Sequence, residues 1–107
     1  MNVMFADADG AEIRQLLRET YDLLVLSLME FGSMDKETAV RMIADSGLFA
    51  FATEMEAYLL LHEEAYCWAM VLLHGRENTQ WHQDPTLWPI PERYNALAEA
   101  YYRSLEA

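Results

Sequence analysis

A chain of 107 residues, 53% of them hydrophobic, is expected to form one domain, residues 1–107, with a core that needs no metal or disulfide staple. Its 18 acidic residues outnumber 7 basic ones, giving a net charge of −11 that repels phosphate backbones and anionic headgroups and argues against direct nucleic-acid or membrane-surface binding. Cys67 is the single cysteine, so no intrachain disulfide can form and a reducing compartment is expected.

The opening stretch MNVMFADADG carries no basic residue and no long apolar run, as a secretory signal would, so a cytoplasmic location is expected. Met1 to Ala8 reads as an arm or an edge strand. Asp9 can cap a first helix over about Ala11 to Phe31, with Glu12 reaching back in a capping box and Ile13, Leu16, Leu17, Thr20 and Leu24 giving the helical period. This helix carries apolar residues on more faces than a surface helix needs. Gly32 is the expected stop, and Ser33 the cap of a short second helix over about Met34 to Asp45 that buries Ala39, Val40, Met42 and Ile43.

The longest helix-forming stretch is Leu48 to Gly75, apolar almost all round, and it is the expected core about which the rest is placed. Thr53 with Glu56 matches a capping box, and a break near His62 or Glu63 would pack more economically than one rod of roughly 40 Å. From about 75 to 90 the chain becomes irregular and holds Trp81, Trp88 and two of the three prolines. The two tryptophans either pin this loop to the helices or present an aromatic patch to a partner. A last helix starts at Pro91 and stripes Tyr94, Leu97, Ala98, Tyr101 and Leu105 on one face. The fold expected is an all-α compact bundle of about five helices with one long irregular loop.

The chemistry is mostly negative. His62-Glu63-Glu64-Ala65-Tyr66 begins like a zinc-protease helix but has Tyr66 where the second histidine belongs, and no Glu-x-x-His pair exists for a di-iron site. No metal or cofactor is therefore expected. Cys67 lies beside Trp68 in an apolar run, where cysteine acts as a small hydrophobe. Glu54, Tyr58, His62 and Tyr66, spaced four apart, would share one helix face as a polar seam between helices or, less favoured, as an acid–base or ligand site around His62.

From Met34 to about Leu72 the pattern of Met34-Asp35, Val40, Ile43, Gly47-Leu48 and Tyr58-Leu59-Leu60-Leu61-His62 resembles a family of small bacterial helical proteins of unknown function marked by a Tyr-x-x-Leu-His box. The resemblance implies a compact helical unit, often encoded beside toxin-like genes, with an accessory or antitoxin-like binding role. The reading that follows is a non-catalytic acidic protein that binds a basic protein partner through Trp81 and Trp88 with Glu77 and Asp84. The alternative is a homodimeric structural module closing apolar helices of two copies over each other.

Overall fold

In the computed structural model, which describes residues 10–75, 78 and 80–106, the chain is a small all-α bundle. Among the described residues there are five α-helices: α1 (Gly10–Gly32), α2 (Lys36–Ser46), α3 (Glu54–Leu61), α4 (Ala65–His74) and α5 (Glu92–Leu105), with a short 3₁₀ turn at Gln80–Gln83. The arm at 1–8, the Asp9 cap and Glu77 lie outside the described residues.

The organising helix is α1, which touches all four others, rather than the Leu48 to Gly75 stretch. At 23 residues it runs about 34 Å, long enough to be flanked on every side. Leu23, Leu24, Val25, Ser27 and Leu28 are buried around its circumference, and Ser27 donates its hydroxyl to the Leu23 carbonyl at 2.7 Å, so no buried polar atom is orphaned there. Most of the apolar surface of α1 is thus covered within one chain, by α2, α3, α4 and α5, while Leu16 stays half exposed.

The first turn after α1 corrects the sequence reading. Ser33, not Gly32, takes the left-handed conformation, with φ 52°. Gly32 is instead a close-approach residue, since a Cβ there would meet Met34 Cε at 2.8 Å and Leu73 Cδ2 at 2.9 Å. The cap of α2 is Asp35, whose carboxylate accepts from Thr38 N at 2.8 Å, because the helix starts two residues later than Ser33 would require. Ala39 and Ile43 face the core, and Gly47 ends α2 at φ 70°.

The apolar stretch does break near His62. α3 opens with the Thr53–Glu56 capping box and stops at Leu61, and α4 restarts at Ala65. Trp68 holds the corner: its indole Nε1 donates to the Leu60 carbonyl at 2.9 Å, a shorter bond than the 3.4 Å one from Glu63 N to the same oxygen at the helix end. α4 then buries Ala65, Tyr66, Ala69 and Met70. α5 packs antiparallel to α1, fixed by Arg93 to Glu30 (3.1 Å) at one end and the Tyr101 hydroxyl to Asp22 (2.7 Å) toward the other. Pro91 sits one position earlier than expected, as the cap residue in an extended conformation. Leu105 stands half exposed, off the buried stripe.

No helix among the described residues is long and apolar enough to cross a membrane.

Candidate functional site

Two regions hold the residues with chemistry to offer. The first is the α3–α4 corner. Because the helix ends at Leu61 and turns through His62, Glu63 and Glu64, three polar side chains project at the bend instead of spiralling round one rod. With Thr20 and Leu23 from α1, Leu61 and Ala65 beside the bend, and Tyr102 from α5 they line an open cleft of about 190 Å³. Glu64 accepts the Tyr94 hydroxyl at 3.4 Å. Burial first, and the Glu64 carboxylate after it, push the Tyr94 phenol well up. Tyr102 is raised in the same sense, by burial and then by Glu19 and Glu64. Carboxylates from α1 and from the corner therefore converge on one phenol of α5.

Cys67 lies one turn beyond Glu63. Burial, then the Glu63 carboxylate, push its thiol up to about 11, which keeps it protonated and makes it a poor nucleophile at neutral pH.

The row of Glu54, Tyr58, His62 and Tyr66 is divided by the corner. Glu54 is the first residue of α3, and its side chain is outside the described residues. Tyr58 and His62 stay together, ring edge to face at 4.5 Å between centroids. Tyr66 belongs to the next helix, wholly buried, and its hydroxyl donates to the Leu87 carbonyl at 2.6 Å. It ties α4 to the following loop and does not extend a seam along α3. His62 is exposed, and among the described residues no hydrogen bond joins its imidazole to a carboxylate. Nor are three His, Cys, Asp or Glu side chains placed to hold a metal ion.

The second region is the loop after α4. Trp81 is 5% exposed and packs against Tyr66 at 6.3 Å and Trp88 at 5.8 Å, so it pins the loop and cannot serve as a contact residue without unfolding it. Trp88 is 36% exposed and is the one tryptophan of the pair that reaches the surface. Asp84 is exposed but engaged: its carboxylate accepts from Thr86 N at 2.9 Å and Thr86 Oγ1 at 2.7 Å, bonds that hold its pKa below the ordinary value. Asp84 shapes the turn, and its backbone carbonyl takes the amides of Leu87 and Trp88, both at 2.9 Å. Of the residues expected to meet a partner, Trp88 and Asp84 are at the surface and Trp81 is buried, while Glu77 lies outside the described residues.

Sequence reasoning missed Thr20, Leu23 and Tyr102 as neighbours of His62. Thr20 and Leu23 come from α1 and Tyr102 from α5, helices far apart in the chain, and only the packing of α1 on α3 and α4 and of α5 on α1 brings them to the corner. Glu63 and Glu64, two charges set into an otherwise apolar run, were the available signal. No protein-family description, curated protein or solved structure matches this chain.

Proposed function

We propose that the protein is a non-catalytic acidic binding module for a basic protein partner, working in the cytoplasm in the manner of an antitoxin, immunity protein or inhibitor. The observation that carries this reading is how the charge is arranged. Arg41, Arg93 and Arg103 are each paired within the chain, to Glu37, Glu30 and Glu99 at 3.2, 3.1 and 2.8 Å. Three of the 7 basic side chains are thereby engaged, while a surplus of 18 − 7 = 11 carboxylates has no basic counterpart in the chain. Exposed ion pairs of this kind add little stability. The uncompensated field attracts a cationic surface and raises its association rate.

The test is affinity capture from an extract of the encoding cell at low salt, with elution by a salt gradient. Basic proteins should be retained and released by salt. A column that retains no basic protein sinks the reading. Sedimentation of the purified chain decides the homodimer alternative, which must bring two bodies of charge −11 together and is expected to lose to a monomer.

A further inference from the structure

We infer that the cleft between α1, the α3–α4 corner and α5 is the docking face for a cationic amphipathic segment of the protein partner, with a Lys or Arg side chain entering beside Glu63 and Glu64. This rests on the proposed function and assigns that function a surface other than the tryptophan loop. The first support is where exposed apolar side chains fall. Leu16, Met55, Leu59, Tyr102 and Leu105 are 50, 43, 56, 45 and 49% exposed. Tyr102 lines the cleft itself. Leu16 stands one helical turn before Thr20, Leu105 one turn after Tyr102, and Leu59 one turn before His62, the cap of α3 that lines the cleft, with Met55 a turn further back along the same stripe. Large side chains left in water around one concavity mark an interaction surface rather than scattered surface leucines.

Charge selects the occupant. Glu63 and Glu64 stand in the cleft wall with the Tyr102 ring, an arrangement suited to a cation held by carboxylates and an aromatic face. Arg14 and Arg18 lie two residues either side of Leu16, about 200° round α1 in each direction, and so face away from the cleft. Arg103, next to Tyr102, is paired with Glu99. The face therefore has an apolar rim and an acidic centre, the complement of a helix bearing leucines with interspersed lysines.

The probe is a synthetic helical peptide of leucine and lysine in amphipathic order, with a leucine–glutamate peptide of the same pattern as control, titrated into the full chain by calorimetry. The lysine peptide should bind, more weakly as salt rises, and the glutamate peptide should not. Leu59→Ser should weaken binding about tenfold, one leucine anchor, and Glu63→Gln about three- to fivefold, one partly screened charge pair. Trp88→Ala should leave it unchanged, and circular dichroism checks that each variant keeps its helices. Binding that survives Leu59→Ser and Glu63→Gln but is lost in Trp88→Ala overturns the cleft and leaves the acidic binding role standing. A chain that binds neither peptide, or both equally, overturns the binding role as well. A dimer that Leu59→Ser converts to monomer would make the face a contact between copies and overturn the inference.

Discussion

α3 and α4 are two halves of one apolar stretch, yet they meet opposite environments. α4 turns Ala65, Tyr66, Ala69 and Met70 inward against α1 until none is more than 4% exposed. α3 is richer in leucine, but it buries only Ala57 and Leu60 and leaves Met55 and Leu59 in water. Composition cannot account for the contrast; position does. α4 lies along the second half of the long α1, with Tyr66 against Phe31 and Leu73 against Gly32, and is flanked also by α2, whereas α3 meets α1 over a smaller contact and has solvent on its outer side. The lesson is that α4 is held by burial, and α3 by its ends: the Thr53–Glu56 box at one terminus and the Trp68 indole on Leu60 at the other.

The strongest way to break the contrast is to open the α1–α4 side. Leu28 is fully buried, and Leu28→Ala should cost about 2–5 kcal/mol, the transfer and cavity terms together, read as a lower urea midpoint. An effect below 1 kcal/mol would mean that α1 is not the centre of the core. Tyr66→Phe keeps the ring packing against Phe31, Trp81 and Tyr94 but leaves the Leu87 carbonyl without its 2.6 Å donor. It should cost about 1–2 kcal/mol and raise acrylamide quenching of the tryptophan loop. Thr53→Ala removes the hydroxyl that accepts Glu56 N, and should cost about 1 kcal/mol, concentrated in faster amide exchange across α3 with α4 unaffected.

These cases show which parts of the molecule could be read without coordinates. The helix count and the Thr53 box were legible because each rests on local rules, whereas the break near His62 was expected from packing economy. Periodicity alone did not locate the break: Glu63, Glu64 and Ala65 are all good helix formers, and the chain turns there because α4 must bring Tyr66 and Met70 onto α1 while Trp68 caps Leu60. The central place of α1 was hidden for the same reason. A helix apolar on several faces looks alike whether it is wrapped by its own chain or by another. Tyr66 was misplaced because four-residue spacing implies a shared face only while the helix continues. The cleft needed α5, whose Tyr102 carries no sequence signal linking it to His62.

The alkaline limb sharpens the comparison at the corner. Because Cys67 is pushed up to about 11 by burial and by Glu63, the folded state holds its proton more tightly than the unfolded chain does. The sign is that of a raised pKa: this contribution is fully present below the ordinary thiol value of 9.0 and is lost as pH climbs toward about 11. Native Cys67 should alkylate with a pH midpoint near 11, against an ordinary midpoint in urea. A native midpoint near 9 would show that the thiol is neither buried nor held beside Glu63.

The smallest effect is the most discriminating. Leu59 and Leu60 are adjacent, identical in chemistry and 56 and 3% exposed. Leu60→Ala should cost about 2–5 kcal/mol, while Leu59→Ser should change stability by no more than about 0.5 kcal/mol, since the side chain it removes is already half in water. The pair needs no assumption about function, because both side chains sit on one helix and both variants are read by the same urea titration. If Leu59→Ser matches Leu60→Ala, the outer face of α3 is covered in solution, and a dependence of the midpoint on protein concentration would identify the cover as a second copy. If it is neutral, the leucine stands in water in the free protein, as an anchor for a partner must before the partner arrives.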